Sequence, residues 1–145
     1  MLDSINKKII RILYGNARIT ISELSKAVHL SAPAVKERIE KLEEQQAIQG
    51  YSLKTDSEAL GYAISGFVHA DIVTGKEIEF RHIIKQCPAV TECFNVTGEK
   101  AYIFRIAVKT MSELDALLES LTLICKTDTS LILSETVANR LPQDF

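Results

Sequence analysis

Cationic and small polar side chains recur at helical spacing in one segment near the N-terminus, around Lys36, Arg38 and Lys41. Lysine and arginine bind phosphate oxygens and the acceptor edges of guanine, and the backbone N–H groups that open a helix near Ser31 suit a phosphate oxygen. Glu37 has the chemistry to accept a hydrogen bond from the amino group of cytosine. The segment therefore predicts a helix that contacts double-stranded DNA. The candidate contacts are Ser31, Ala32, Ala34, Lys36, Glu37, Arg38 and Lys41.

The residues before this helix have the pattern of a helix-turn-helix. Thr20-Ile21-Ser22-Glu23 is a capping-box sequence that opens a short helix, and Val28-His29-Leu30-Ser31 turns the chain into the next one. An earlier helix begins after Asp3 and stops at Gly15-Asn16. Any three-helix domain contains such a turn, and its lysines often only solvate an outer face. The pattern alone therefore leaves DNA binding and a purely structural role open.

Charge and composition exclude several classes of protein. Residues 1–51 carry eight Lys and Arg against six Asp and Glu, a net charge of +2, whereas the remaining residues carry nine against thirteen, a net charge of −4. This asymmetry permits a weakly basic nucleic-acid module beside an acidic domain. With 46% apolar and 25% charged residues the composition is globular. No apolar run approaches the roughly 18 residues that span a bilayer, so we expect no membrane partner.

The cysteines and histidines predict neither a metal site nor a disulfide framework. No Cys-x-x-Cys or His-x-x-x-His spacing occurs, and no phosphate-binding glycine loop or nucleophile motif is present. We therefore expect no cofactor, no metal and no enzymatic activity, and a reducing, cytosolic compartment. The residues concerned are Cys87, Cys93, Cys125, His29, His69 and His82.

After Gly50-Tyr51 the pattern changes from helical to alternating, which predicts a βαββαβ order. A first strand carries apolar residues at period two, among them Ile64, Val68 and Ala70. Helices are expected to open at two further capping-box sequences, Thr74-Gly75-Lys76-Glu77 and Thr110-Met111-Ser112-Glu113. The other strands are expected over 89–97, 101–109 and 129–138.

The fold class is therefore α+β, with helices followed by a ferredoxin-like βαββαβ domain. The expected boundaries are 1–51 for the helix-turn-helix domain, 52–60 for a connecting segment and 61–145 for the second domain. The predicted helices cover only one face of the sheet. The other face must be covered as well, and a second copy of the same sheet is the economical cover. Its side chains are expected to include Phe67, Val73, Cys93 and Ile103.

Segments of both domains resemble the Lrp/AsnC (feast/famine) transcription regulators. They are residues 24–31 (LSKAVHLS), 35–43 (VKERIEKLE), 48–51 (IQGY) and 96–102 (VTGEKAY). The resemblance implies a winged-type helix-turn-helix domain and a βαββαβ regulator domain of the RAM type that dimerises sheet to sheet. It also implies dimers that assemble to a tetramer or octamer, with an amino acid or similar small effector bound between dimers. A cytoplasmic, nucleoid-associated protein is the corresponding location.

The resemblance places effector candidates in a loop and in the last strand, at Gly98, Glu99, Ala101, Tyr102, Ser130 and Leu131. The family usually carries, at the position of Ala101, an aspartate that helps to hold the ammonium of the ligand. Glu99 keeps one acidic group in this loop. An altered ligand and the absence of a ligand therefore both stay open. The family also usually has glycine at the position of Gln46, which must adopt or avoid a left-handed conformation.

Two other functions stay open at the level of the sequence. The sirohaem decarboxylases resemble this family and keep its two-domain plan, but they need basic and imidazole groups around a large cavity, which three dispersed histidines do not suggest. The other is an effector-independent architectural DNA-binding protein. The favoured interpretation is a sequence-selective transcriptional regulator that responds to an amino acid or a related small effector.

Overall fold

The structure, a computed structural model, describes residues 2–142 and 145. The chain forms two compact units, one of Met1–Lys54 with Val137–Phe145 and one of Thr55–Thr136, which we call the helical unit and the sheet unit. The boundaries expected from the sequence place everything after residue 61 in the second domain. The contacts of the tail from Val137 onward instead group it with the helical unit.

Three helices make up the helical unit, and each begins at the capping residue expected from the sequence. Asp3 accepts a hydrogen bond from the backbone N–H of Asn6 at 2.6 Å. Thr20 forms a reciprocal capping box with Glu23, and Ser31 caps the third helix. The helices are α1 (Ser4–Gly15), α2 (Ile21–Val28) and α3 (Ala32–Glu44).

The three helices enclose one small apolar core. α3 contributes Val35, Ile39 and Leu42, whose spacing by one helical turn places them on a single face. Between α3 and the first strand of the sheet unit, the described residues form turns and extended chain but no strand. The helices of the expected domain are therefore present without a strand wing. The core residues are Ile9, Leu24, Val28, Val35, Ile39 and Leu42.

The tail adds contacts on the outside of the helical unit. Arg11 Nε donates a hydrogen bond to the backbone carbonyl of Phe145 at 2.6 Å. Asn139 and Leu141 line a cleft of about 690 Å³ together with the end of α1 and residues 47–54. No tail residue belongs to the three-helix core. The tail therefore packs against a core that the helices complete by themselves.

The sheet unit has the βαββαβ order expected from the sequence. Its four strands form one antiparallel sheet in the order β2-β3-β1-β4, which is the ferredoxin-like arrangement. The elements are β1 (Ile64–Ile72), α4 (Glu77–Gln86), β2 (Val90–Asn95), β3 (Tyr102–Val108), α5 (Met111–Leu121) and β4 (Cys125–Leu131).

Both helices pack on one face of this sheet. Alternate residues of β3, such as Phe104 and Ile106, are fully buried against them, as are Val68 of β1 and Phe80 of α4. Period-two alternation sends the intervening side chains to the opposite face, where Phe67, Ile103 and Phe94 lie. No helix of the sheet unit covers that face, and Phe94 is 53% exposed there.

The last strand lies earlier in the chain than expected. The expected range of this strand was 129–138, but β4 spans Cys125–Leu131. Cys125 pairs with Ile72 of β1 and is buried, whereas Leu133 is 98% exposed. Pairing with β1 sets the limits of this edge strand, and the local apolar content does not. The expected range was therefore wrong.

Cys93 lies on the other side of the sheet from the one expected. It pairs with Phe104, so both side chains are on the helix-covered side, although Cys93 itself is exposed at the edge. The register of β2 shifts between Val90 and Glu92, where a bulge inserts one residue. One extra residue reverses the face of every following side chain. Phe94 consequently takes the position on the uncovered face.

The capping box expected before α4 does not form. The N–H of Lys76 donates to the carbonyl of Val73 at 2.9 Å, and Gly75 has a φ of +85°. This turn makes Lys76 the N-cap residue of α4, and no side chain caps the helix. Thr74 is therefore too early in the chain to act as the cap.

The start of α5 confirms half of its expected capping box. Thr110 accepts a hydrogen bond from the N–H of Glu113 at 3.2 Å. The carboxylate of Glu113 reaches back one residue further than expected and accepts from the N–H of Lys109 at 2.9 Å. Two helix-terminal N–H groups are still satisfied, which is the physical purpose of the motif.

Candidate functional site

A tight turn joins α2 to α3 and fixes where α3 begins. His29 ends α2 at a φ of 57°, in the left-handed region that histidine tolerates better than most residues. The N–H of Leu30 then donates to the carbonyl of Ser25 at 3.1 Å, and Ser31 caps α3. Gln46, just after α3, also has a φ of 57° and so takes the left-handed conformation that its position requires. The turn was expected from the sequence, but its left-handed residue was not.

The outward face of α3 carries most of the predicted DNA contacts. The side chains of Lys36 and Lys41 are 71% and 60% exposed. Ala34 is half-buried at the edge of a groove of about 390 Å³. The predicted contacts that are exposed are Ser31, Ala32, Lys36, Glu37 and Lys41. The groove is lined by Asn6, Leu30, Ala34, Glu37, Arg38, Lys41 and Gln45.

Arg38 turns away from this face toward the start of α1. Its Nη1 donates to Asp3 Oδ2 at 2.7 Å and to Asn6 Oδ1 at 2.8 Å, and its side chain is only 31% exposed. The N–H of Asn6, and then the guanidinium of Arg38, lower the pKa of Asp3 below its usual value. The expectation that Arg38 lies on an outer face of the helix was therefore wrong, because its charge joins α1 to α3.

The two lysines on the exposed face are paired with glutamates one turn away. Lys41 Nζ lies 2.6 Å from Glu37 Oε1, and Lys36 Nζ lies 3.8 Å from Glu40 Oε1. The hydrogen bond from Lys41 lowers the pKa of Glu37. The face opposite the core therefore presents joined cation and carboxylate groups, and it is not a uniformly positive surface.

The loop between β2 and β3 contains three of the predicted effector residues. The N–H of Val96 and the side-chain amide of Asn95 both donate to the carbonyl of Ala101, at 2.8 and 2.9 Å. Gly98 has a φ of +113°, which only glycine adopts readily, and Glu99 is exposed. The loop is thus closed at its base, with its backbone fixed and one carboxylate in solvent.

Tyr102, the fourth predicted effector residue, is a core residue of the sheet unit. It is 7% exposed, and its ring centroid lies 4.9 Å from that of Phe80 in α4. Its hydroxyl accepts a hydrogen bond from Arg81 Nε at 3.0 Å. Within one chain, the side chain of Tyr102 therefore holds β3 against α4 and does not reach into the loop.

The two predicted residues of the last strand point to opposite faces of the sheet. Ser130 pairs with Phe67 on the uncovered face, and Leu131 pairs with Gly66 on the helix side. A Cβ at Gly66 would lie 2.6 Å from the carbonyl oxygen of Ser130, so only glycine lets β1 approach β4 here. Ser130 is two strands across and three residues along from Tyr102, a separation of roughly 14 Å. One chain therefore does not bring the six predicted effector residues together.

An ion pair that the sequence did not reveal joins the loop to β4. Lys100 Nζ lies 2.5 Å from Asp128 Oδ2, and Asp128 pairs with His69 across the β1–β4 ladder. The hydrogen bond from Lys100 lowers the pKa of Asp128. The partners are 28 residues apart in the chain. Their meeting depends on the register of β4, whose position the apolar pattern predicted wrongly.

Within residues 2–142 and 145, no helix is long and apolar enough to cross a membrane. The same residues contain no cluster of three or more histidine, cysteine, aspartate or glutamate side chains arranged to hold a metal ion.

Comparison with known proteins matches both units. Residues 2–43 match the AsnC-type helix-turn-helix domain, and residues 66–142 match the Lrp/AsnC ligand binding domain. The Bkd operon transcriptional regulator of Pseudomonas aeruginosa is 36% identical over 127 residues, which cover 86% of this chain and 82% of that protein. The HTH-type transcriptional regulator FL11 of Pyrococcus horikoshii is 33% identical over 118 residues, covering 81% and 78%.

Solved structures agree over nearly the full length. LrpC of Bacillus subtilis superposes with a TM-score of 0.91 at 27% identity, covering 96% of this chain and 99% of that one. The feast or famine regulatory protein of M. tuberculosis, complexed with L-methionine, superposes with a TM-score of 0.86 at 29% identity, covering 98% and 99%. Two domain matches in the expected order, close relatives and the shared fold all agree. The chain belongs to the Lrp/AsnC family of transcriptional regulators, with an AsnC-type helix-turn-helix followed by the ligand binding domain.

Proposed function

We propose that this regulator reads a specific duplex sequence with α3 and answers to a small amino-acid-like effector held between copies of the chain. The observation that carries the first part is the outward face of α3, which stands opposite the core and presents Lys36, Glu37 and Lys41 directly after a capped turn. In a helix-turn-helix the second helix enters the major groove, N-terminal end first. This activity takes place on the chromosome, at the nucleoid of the cytoplasm.

Each side chain has a role that follows from its position. Ser31 and Ala32, at the capped start of α3, present backbone N–H groups to a phosphate, and Ala34 lets the helix approach closely. The two exposed lysines contact phosphates or guanine edges, and Glu37 accepts from a base amino group. Arg38 acts as a positioning residue, because it fixes α3 against the start of α1.

The test of the DNA-binding surface is a salt series. Duplexes are selected from a random pool with the wild-type chain, and their affinity is measured by fluorescence anisotropy at several salt concentrations. Lys36→Ala with Lys41→Ala should weaken binding and lower the slope of log K against log salt by about 0.9 for each lost phosphate contact. The matched control, Lys76→Ala with Lys85→Ala in the sheet unit, should leave affinity and slope unchanged. If both double variants have the same affinity and the same salt slope, the DNA binds to another surface.

The effector part of the proposal rests on the separation of its candidate residues. The loop before Tyr102 and the end of β4 are roughly 14 Å apart within one chain, so a shared pocket requires residues from more than one copy. The uncovered sheet face, with Phe67, Phe94 and Ile103, supports a sheet-to-sheet dimer as the first step of assembly to a tetramer or octamer. A stable monomer at micromolar concentration in sedimentation experiments would contradict this assembly.

An architectural DNA-binding protein without an effector is the second candidate. Ala101 favours it, because its side chain offers nothing to the ammonium of an amino acid. Glu99 is the one carboxylate within residues 96–101. Titration with amino acids separates the two candidates, since only the effector-responsive regulator binds one.

A further inference from the structure

α3 is an acidic helix, although it is the helix that faces DNA in the proposed function. Its three cations are outnumbered by four glutamates, and each cation contacts a carboxylate of its own chain. Lys36 pairs with Glu40, Lys41 with Glu37, and Arg38 with Asp3 of the α1 cap. The charged residues of the helix are Lys36, Arg38, Lys41, Glu37, Glu40, Glu43 and Glu44.

Cations elsewhere in the helical unit are arranged differently. Within the described residues, no carboxylate oxygen lies within 4.0 Å of the side-chain nitrogens of Lys7, Lys8, Arg18 or Lys26. These groups on and beside α1 and α2 are available to phosphates, and phosphate contacts carry no sequence information. Non-specific affinity therefore draws chiefly on the cations around α3, and Lys36 and Lys41 add less to it because each is paired with a glutamate.

The pair Glu37–Lys41 occupies the centre of the exposed face. Glu37 lies about 200° around the helix from the buried Val35, at 100° per residue, so it points directly away from the core. Its side chain is 65% exposed, and its oxygen is 2.6 Å from Lys41 Nζ. A helix that docks by this face presents an acceptor and a donor side by side.

Generic DNA is a poor partner for such a pair. A carboxylate brought toward phosphates is repelled, and the charge of Glu37 beside Lys41 offsets the attraction of Lys41 for a phosphate. A C·G base pair is different, because the amino donor of cytosine has an acceptor on one side only, the O6 of guanine, whereas the amino donor of adenine lies between two acceptors, adenine N7 and thymine O4, which repel a carboxylate. Glu37 can accept from the cytosine amino group while Lys41 donates to guanine, so both keep a partner of opposite polarity.

We propose that Glu37 and Lys41 act as one unit that reads a C·G pair, and that Glu37 lowers the affinity for every other sequence. Glu37 is thus a specificity-determining residue, and its main effect is to weaken binding to sequences without the C·G pair. This inference rests on the proposed function, in which α3 enters the major groove.

The experiment compares two substitutions that remove the same charge from the same helix. Glu37→Gln removes the paired carboxylate, and Glu44→Gln removes an exposed carboxylate that has no lysine or arginine nitrogen within 4.0 Å in the described part of the chain. Affinities of both variants and of the wild type are measured for the duplex that the wild type selects from a random pool, and for the random pool itself. Circular dichroism verifies that both variants fold.

We expect the selected motif to contain an invariant C·G pair. Glu37→Gln should raise affinity for the random pool and lower the ratio of selected to random affinity by about tenfold, with A·T now tolerated because glutamine pairs with adenine. Glu44→Gln should leave that ratio unchanged. Equal ratios in the two variants, or a selected motif without an invariant C·G pair, would overturn the inference and leave DNA recognition by α3 intact. A wild type that does not distinguish selected from random duplexes would overturn the proposed function as well.

Discussion

The two units build their candidate sites in different ways. In the helical unit, the predicted DNA contacts lie within residues 31–41, and one capped helix presents most of them to solvent. In the sheet unit, the predicted effector residues belong to a loop, to the start of β3 and to the edge strand β4, and β1 lies between β3 and β4. One chain therefore brings the predicted DNA contacts together on one helix but holds the predicted effector residues apart.

The difference also appears in how each unit uses its charges. Arg38 and Asp3 fix one helix against another, so the ion pair keeps the reading helix in place. Lys100 and Asp128 join a loop to a strand at the solvent surface, where their side chains are 40% and 63% exposed. Exposed pairs contribute little free energy. The pair of Arg38 with Asp3 is also exposed, at 31% and 52%, but Arg38 has a second partner in Asn6.

The largest expected effect is the difference in stability lost when a phenylalanine is removed from one face of the sheet or from the other. Phe104 is fully buried, so Phe104→Ala should lower the free energy of unfolding by about 3–5 kcal/mol. Phe94, on the uncovered face, is 53% exposed, so Phe94→Ala should cost less than about 1 kcal/mol in a single chain. Urea denaturation measures both. If Phe94→Ala is equally costly at a concentration where sedimentation shows a monomer, the uncovered face is not the exposed surface described above.

The next effect tests whether the effector loop lacks only a carboxylate. Ala101→Asp supplies an acceptor for an ammonium, and a charged hydrogen bond of this kind contributes roughly 1.5–3 kcal/mol, or about tenfold or more in affinity. Calorimetric titration against the twenty amino acids should show at least one that binds the variant more tightly than the wild type. Glu99→Gln is the companion variant. Tight binding by the wild type that survives Glu99→Gln would mean that backbone carbonyls or another group hold the ammonium.

The smallest expected effect is the change in melting temperature when Arg38 is substituted, and it depends on pH. Because the pKa of Asp3 is lowered in the folded chain, its ionised form stabilises the fold above the ordinary aspartate value of 3.8. That contribution disappears as the pH falls through the lowered pKa. Arg38→Met should therefore lower the melting temperature by a few degrees at most near neutral pH, and by less in acid. Asp3→Asn, which removes the other charge of the pair, is the control. A difference in melting temperature between Arg38→Met and the wild type that does not change with pH would contradict the proposed ion pair.

Most features of the structure that depend on neighbouring residues were predictable from the sequence, and the cap expected before α4 is an exception. The caps of α1, α2 and α3, the turn at His29 and the helical faces all depend on residues within four positions of each other, where side-chain and backbone chemistry decides the outcome. The order of elements in the sheet unit followed from periodicity in the same way.

Features that depend on distant partners were not predictable in this way. Arg38 meets Asp3 across 35 residues, and although its place three residues after Val35 puts it beside the core side of α3, that spacing does not give its partner. The bulge in β2 reversed the face of Cys93, and the pairing of β4 with β1 moved the last strand. The Lys100–Asp128 pair follows from that register. Strand pairing is fixed by the whole sheet, so a linear pattern does not contain it.

The discontinuous helical unit has a consequence for the order in which the protein is made. A ribosome releases α1, α2 and α3 first, and their core needs no later residue. The segment from Val137 onward follows the whole sheet unit in the chain, so it reaches the helices only after that unit has been synthesised. The tail therefore docks through Arg11 and the cleft beside α1 only after the sheet unit has been synthesised. The core of the three helices does not depend on that step.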